Sequence, residues 1–141
     1  MERSERVVSV RNWCLLTFLK KGQRRKELRT NEKYPEEEIV AIVLRLVQQY
    51  QHSKKQEFIA LEKQFAELEE RGILPRGERL APISSRDPGN SVIWQARFEN
   101  LSAVEAALKL FETNPEHTEL ANKQKHFFES SWVELYEVLE Y

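Results

Sequence analysis

The hydrophobic period of the chain changes twice between residues 91 and 139, from that of a strand to that of helices and back, and this pattern restricts the fold more than any other feature. Apolar and polar residues alternate over Ser91–Phe98, which is typical of a strand. Apolar residues then recur at helical spacing between residues 102 and 111. A second helical stretch is expected to run from Asn114 to Ser130-Ser131, and alternation returns over 132–139. The pattern predicts strand, helix, helix and strand, in that order.

Turn and cap residues indicate where these elements begin. The sequence Asp87-Pro88-Gly89-Asn90 predicts a turn before the first strand, because proline fixes φ and glycine and asparagine tolerate positive φ. Ser102 with Glu105 three residues later predicts a capping box. Asn114 followed by Pro115 predicts an N-cap and the first residue of the next helix.

The segment 38–51 allows either a strand or the start of a long helix. Five of its residues are valine or isoleucine, and apolar residues occupy both faces, so we favour a strand buried on both sides. Ser53, with Gln56 as capping-box partner, predicts the start of a helix. Its apolar stripe is Phe58, Leu61, Phe65 and Leu68.

Glycine and proline mark the end of this helix and the weakness of the strand after it. Gly72 is expected at the C′ position, and Pro75 prevents the helix from continuing. Residues 78–85 form an extended piece that contains Pro82, so we expect an edge strand or a bulge.

The predicted order from residue 38 onward is β-α-β-β-α(α)-β, the order of an α+β, ferredoxin-like fold. A four-stranded antiparallel sheet would then carry helices on one face. Apolar residues remain for the other face, either Ile93, Val133 and Leu135 or Trp94, Tyr136 and Val138. An exposed apolar patch usually marks an interface, so we expect a symmetric homodimer formed through the sheet face.

Composition excludes several classes of protein. The 141 residues suffice for one domain with a core, and a single cysteine, Cys14, excludes an intrachain disulfide and a cysteine-based zinc site. A reducing, cytoplasmic location is therefore expected. No apolar run approaches the ~20 residues that span a bilayer, and the first residues do not resemble a signal peptide.

Charge is unevenly distributed and predicts a boundary near Tyr34-Pro35. Residues 1–35 contain ten Lys and Arg against four Asp and Glu, a net charge of +6, whereas residues 36–141 contain twelve against nineteen, or −7. We therefore predict a basic N-terminal extension, 1–35, before a domain over 36–141. The extension could bind nucleic acid or an acidic membrane surface. Because no stacking aromatics interrupt its basic run, a solvated or locally packed tail is favoured.

Four short motifs give residues 38–141 a family resemblance. They are Asp87-Pro88 before a strand, Phe98 and Leu101 entering a helix, Asn114-Pro115-Glu116-His117 between helices, and the closing Glu134-Leu135-Tyr136-Glu137-Val138. With these motifs the sequence resembles the dimeric α/β-barrel superfamily, in particular its NIPSNAP-like and antibiotic-biosynthesis-monooxygenase-like branches. The resemblance implies a pocket between the sheet and the helices of one subunit.

The resemblance leaves the activity open, because the superfamily includes cofactor-independent monooxygenases, haem-degrading, dehalogenating and isomerising enzymes, and proteins without known activity. One hypothesis is a small-molecule-binding, monooxygenase-like enzyme for an aromatic or lipid-like substrate, with oxygen chemistry done by the substrate or by haem. The alternative is a non-catalytic dimeric binding or interaction module. A pocket of ~300 Å³ or more lined by Trp94, His126 and Tyr136 would favour the enzyme.

Five residues are candidates for such a pocket. Trp94, Trp132 and Tyr136 could form an aromatic wall, although sheet core and dimer interface are the commoner roles. His126 could act as a general base or a haem ligand, and His52 lies near the end of a strand; both could equally be plain surface histidines. A third histidine, His117, is expected to cap its helix. No histidine pair has i, i+4 spacing, so no metal site is predicted.

Overall fold

A computed structural model describes residues 40–141 of the chain. The predicted basic extension over 1–35, its boundary with the folded domain, and Cys14 lie outside the described residues. Two corrections of length follow within the described part. The strand predicted over 38–51 is observed as Ile42–Tyr50, and the edge piece predicted over 78–85 pairs only at Glu78–Leu80.

The order of elements is the predicted one. The strands are β1 (Ile42–Tyr50), β2 (Glu78–Leu80), β3 (Ser91–Phe98) and β4 (Phe128–Glu137). The helices are α1 (Lys55–Glu70), α2 (Leu101–Thr113) and α3 (Pro115–Gln124). Short 3-10 turns at His52–Lys54 and Lys125–Phe127 precede α1 and β4.

The four strands form one antiparallel sheet in the order β2-β3-β1-β4. β1 lies in the centre, where Leu46 is opposite Trp94 of β3 and Val133 of β4. Its valines and isoleucines therefore meet a strand on each side, which confirms the strand interpretation of this segment. The α+β, ferredoxin-like prediction is confirmed, and the sheet does not close on itself.

The helices cover one face of the sheet. Leu44 and Trp94 from the sheet, Phe65 from α1 and Leu108 from α2 belong to one buried cluster. A smaller cluster at the end of β1 joins Tyr50, Phe58, Val92 and Phe128. The predicted stripe of α1 supplies both clusters, because residues three and four apart lie on the same side of a helix.

The two sets of residues that the sequence offered for the outer face are wrong, because each set mixes the two faces. Residues directly opposite each other in neighbouring strands share a face, so Trp94 lies with Val133 on the side of the helices. Ile93 lies with Trp132 on the outer face, where both are opposite Val47. The alternation within each strand was predicted correctly. Which residues of β3 share a face with which residues of β4 depends on the register of the strands, and the sequence alone does not determine it.

The outer face is less exposed than the sequence suggests. Val47 is fully buried and Ile93 is 3% exposed, although the helices lie on the other side. The exposed apolar side chains of the sheet are Leu80 and Tyr136, on the two edge strands. The continuous apolar patch expected across this face is therefore replaced by two separate apolar edges.

At the starts of α1 and α2, the side-chain caps predicted from the sequence are not observed. No side chain caps α1, which follows directly from the 3-10 turn, so the capping box predicted at Ser53 is wrong. Asn100 caps α2 instead of Ser102, since its extended backbone lets the side chain accept a hydrogen bond from the Ala103 N–H at 2.9 Å. The cap of α3 is confirmed: the Asn114 side chain accepts from the His117 N–H at 2.9 Å.

The start of β4 is also earlier than predicted. Ser130 and Ser131 do not end a helix but pair with Gln49 and Gln48 of β1. Burial of Phe128 against Phe58 fixes the start of the strand. Tertiary pairing thus overrides the turn preference of two successive serines.

The end of α1 confirms the role of Gly72. Its φ is +76°, the left-handed region that favours glycine. The Gly72 N–H donates to the Glu69 carbonyl and the Ile73 N–H to the Leu68 carbonyl, as in a Schellman motif.

Gly72→Ala should lower the free energy of unfolding by about 1 kcal/mol, because alanine is strained at this φ. An added Cβ meets no atom within 4 Å at Gly72 or at Gly89, and only Gly72 has positive φ. Gly89→Ala is therefore the matched control, with a change within about 0.5 kcal/mol. Urea denaturation measures both, and equal losses would contradict the strain argument.

Candidate functional site

A buried ionic network lies between the sheet and the helices. Arg79 on β2 donates from Nε to Glu62 Oε2 at 2.8 Å and from Nη2 to Glu69 Oε2 at 2.6 Å. Both glutamates are on α1 and are only 4% and 6% exposed. One guanidinium therefore bridges two buried carboxylates.

The sequence places these three residues together for simple reasons. Glu62 and Glu69 are seven residues apart, two helical turns, so they lie on the same side of α1 as Phe65. Arg79 is opposite Trp94 in the sheet, so it also faces the helices. The short edge strand thus brings a cation to the buried side of the helix.

Three further donors satisfy the remaining carboxylate oxygens. Glu69 Oε1 accepts from Trp94 Nε1 at 2.9 Å and from the Gly77 N–H at 2.8 Å. Glu62 Oε1 accepts from Gln124 Nε2 at 2.6 Å. Each carboxylate oxygen therefore has a partner, as buried charges require.

Position 77 requires glycine because the indole ring of Trp94 lies directly beside it. A Cβ at residue 77 would overlap the Trp94 ring. The absence of a side chain lets the backbone approach both the indole and Glu69.

The electrostatics of the network favour the charged guanidinium. Desolvation by itself would lower the pKa of Arg79, but hydrogen bonds and charge attraction from Glu69 and Glu62 raise the pKa above its ordinary value. With two carboxylates and one guanidinium, the three side chains carry a formal charge of −1.

A cavity adjoins this network. Its volume is about 30 Å³, room for roughly two waters. Its lining includes the polar side chains of Gln48, Glu62, Glu69 and Arg79, and aromatic and aliphatic side chains complete the wall. Gln48 is 4% exposed, and its Oε1 has no hydrogen-bond partner among residues 40–141.

His117 forms part of the aromatic wall. Its ring lies between Phe65 and Phe111, with ring centroids 5.1 Å from each, and it lines the cavity. The predicted capping role belongs to its backbone N–H, and its side chain has this second position in the core.

A second charged cluster lies on the outer face of the sheet. Arg45 pairs with Glu134 at 2.7 Å and with Asp87 at 3.4 Å. The other Glu134 oxygen accepts from Trp132 Nε1 at 3.0 Å, and the Tyr136 hydroxyl donates to Glu134 Oε1 at 3.1 Å. Desolvation opposes the charge of Arg45, but the hydrogen bond to Tyr136 and the nearby acids raise its pKa.

The five predicted pocket residues occupy three separate places. Trp94 lines the cavity. Trp132 and Tyr136 lie on the opposite face of the sheet, so the sheet itself separates them from Trp94. His52 and His126 are exposed in the two 3-10 turns, and the His126 carbonyl accepts from Gln51 Nε2.

Gln48, Glu62, Glu69 and Arg79 line the cavity and were not predicted as site residues. A signal for two of them was present, since Glu62 and Glu69 interrupt the apolar side of α1 at a seven-residue interval. No sequence signal marked Arg79, because the strand with which β2 pairs and the face of the sheet on which Arg79 lies depend on the fold.

Residues 40–141 contain no group of three or more His, Cys, Asp or Glu side chains placed to hold a metal ion. No helix in this range is long and apolar enough to cross a membrane.

Comparison with solved structures confirms the fold resemblance. A NIPSNAP family protein from Agrobacterium tumefaciens aligns with a TM-score of 0.59 and 18% identity, over 78% of this chain and 96% of that protein. A protein of Nitrosomonas europaea assigned as an antibiotic biosynthesis monooxygenase gives a TM-score of 0.54 and 14% identity, over 74% and 96%. A dimeric, ferredoxin-like protein of unknown function from Bacteroides fragilis gives 0.50 and 18%, over 70% and 96%.

These similarities define a class of fold. The chain is similar to NIPSNAP and monooxygenase-like proteins in its ferredoxin-like architecture. No protein-family model and no curated protein matches the sequence. The identities are all below 20%, so the function has to be argued from the site.

Arg79→Met should lower the free energy of unfolding by about 3 kcal/mol, because it leaves two buried carboxylates without their cation. Arg71→Met is the matched control, since Arg71 pairs with Glu116 where both side chains are more than half exposed. Its loss should stay within about 0.5 kcal/mol. Chemical denaturation of both variants measures the difference, and similar losses would show that the buried network does not stabilise the fold.

Proposed function

We propose that this protein is a small-molecule-binding protein whose ligand lies between the sheet and the helices. The observation that carries the proposal is the polar cavity next to the Glu62–Arg79–Glu69 network, with the buried amide residue Gln48 in its lining. A concave, partly aromatic site with a few convergent polar groups is the usual form of a ligand site.

Stability alone is a poor explanation for this network. Replacing a buried ion pair by apolar residues of similar volume is often neutral or stabilising. An unpaired buried acceptor such as Gln48 Oε1 costs about 1–3 kcal/mol. A core selected only for stability would therefore have an apolar residue at Gln48.

Binding ranks ahead of monooxygenase-like catalysis. The aromatic wall and the Nitrosomonas europaea neighbour support an enzyme for an aromatic or lipid-like substrate. Such a molecule needs ~300 Å³, however, and the cavity offers about 30 Å³. Haem does not fit this cavity, and His126 does not line it.

We also propose that the protein forms a homodimer through the outer face of the sheet. The dimeric Bacteroides fragilis neighbour supports the formation of a dimer. Leu80 and Tyr136 offer apolar surface on the two edges of the face, 40% and 48% exposed. A two-fold pairing would bury both edges against a second copy.

Binding at the cavity is tested by ligand-observed NMR of the full chain against a library of the smallest organic solutes, because the cavity of about 30 Å³ excludes larger ones. Solutes that bind the native protein should no longer bind Gly77→Ala, because the new methyl group would overlap the Trp94 ring, which lines the cavity. Gly89→Ala should bind as the native protein does, and circular dichroism verifies that both variants fold. Absence of binding, or equal binding by the two variants, would refute the proposed site.

Dimer formation is tested by native mass spectrometry of the full chain and of Leu80→Lys/Tyr136→Lys. The native chain should be a dimer, and the variant a monomer, because two lysines per subunit place like charges at the paired edges. Ala60→Lys/Ala106→Lys adds the same charge at exposed positions of α1 and α2 and should remain dimeric. A monomeric native chain would rule out the dimer.

A further inference from the structure

The carboxylate oxygens beside the cavity already have hydrogen-bond donors. The two oxygens of Glu62 accept from Gln124 Nε2 and Arg79 Nε, and the two oxygens of Glu69 accept from Trp94 Nε1 and Arg79 Nη2. The buried acidic pair is therefore satisfied by the protein itself. The chemical class of an occupant has to follow from other groups in the lining.

Two donors of the lining have no acceptor among residues 40–141. One is Nε2 of Gln48, a side chain that lines the cavity and is only 4% exposed. Because Oε1 of the same amide is inaccessible, Nε2 is the polar atom of Gln48 that an occupant can contact. The other is Nη1 of Arg79, whose Nε and Nη2 bind the glutamates. An occupant therefore has to supply a hydrogen-bond acceptor.

The charge of the network restricts this acceptor to a neutral group. Glu62 and Glu69 carry one more negative charge than Arg79 neutralises, and both glutamates are almost fully buried. Charges interact strongly where water is excluded, so an anionic acceptor such as a carboxylate would be repelled. A carbonyl oxygen is a neutral acceptor with two lone pairs, so it can accept a hydrogen bond without adding charge.

The size and shape of the cavity suit a small planar group. Its volume of about 30 Å³ is room for roughly two waters. Two waters occupy about 60 Å³ of liquid, the space of a molecule with roughly three non-hydrogen atoms. Phe65, Trp94 and Phe111 line the cavity with flat rings, against which a planar carbonyl group can pack.

From these observations we propose that the cavity binds the carbonyl group of a small neutral molecule, whose oxygen accepts a hydrogen bond from Gln48 Nε2. The inference rests on the proposed binding function and adds the chemical class of the ligand. Gln48 is the residue that orients the carbonyl group. The negative charge of the Glu62–Arg79–Glu69 network excludes the corresponding carboxylates.

The test titrates the full chain with formamide, formate and formamidinium at constant ionic strength. The three probes share one planar shape, but formamide is a neutral acceptor, formate an anionic one, and formamidinium a cation without an acceptor. Nitrogen–proton correlation spectra follow the side-chain amide of Gln48 and the indole N–H of Trp94. Formamide should shift both signals saturably, with a dissociation constant of about a millimolar, the limit for so small a ligand. Formate and formamidinium should bind more weakly than formamide.

One variant tests the role of the amide. Gln48→Leu removes the donor and keeps a side chain of similar size, and it should weaken formamide binding by about fivefold, the usual effect of losing one neutral hydrogen bond. The Trp94 signal reports binding in this variant, and circular dichroism verifies that it folds. Gln64→Leu, the same substitution at an exposed position of α1, should leave binding unchanged.

The possible failures separate the two proposals. If formate or formamidinium shifts the two signals at least as tightly as formamide, the cavity is a ligand site but the carbonyl assignment is wrong. Formamide binding that Gln48→Leu leaves unchanged also overturns the assignment. If formamide shifts neither signal while another small solute binds the cavity, only the carbonyl assignment fails. If no probe and no solute binds, the proposed function fails together with it.

Discussion

The bridge from Arg79 to Glu62 and Glu69 holds the inner side of the structure together. β2 has only three residues and a single neighbouring strand, so its ladder alone anchors it weakly. Arg79 and the Gly77 N–H tie this edge to α1, and Trp94 joins the same carboxylate from β3. The network therefore sets the spacing between sheet and helix, and with it the cavity beneath Trp94.

Two charged clusters lie on opposite faces of the sheet and differ in their surroundings. On the inner face Arg79 meets two glutamates that are nearly inaccessible to water. On the outer face Arg45 meets Glu134 and Asp87, whose side chains are 27% and 13% exposed. The inner cluster borders a cavity and carries the proposed ligand site, whereas the outer cluster faces the side proposed for the second subunit. The aromatic residues are divided in the same way, with Trp94 inside and Trp132 outside.

The fold could be predicted from local signals, but the site could not. The alternation of β3 and the glycine after α1 depend on neighbouring residues, and both predictions are confirmed. The start of β4 and the cap of α2 depend on partners distant in sequence or on backbone conformation, and both were misplaced. The five predicted pocket residues were chosen by type, and the register then placed them on different sides of the sheet. In the sequence, Glu62, Glu69 and Arg79 look like ordinary charged residues. Only the topology buries the two glutamates and places Arg79 against them.

The central claim is that the buried network encloses a ligand site and does not merely stabilise the core. A high-resolution crystal structure of the full chain, grown without small-molecule additives, tests this claim most directly. We expect a molecule larger than water in the cavity, in contact with Gln48 and with the Glu62–Arg79–Glu69 network. A cavity closed by movement of Gln48 onto a protein donor, or one that holds ordered water alone, would contradict the account.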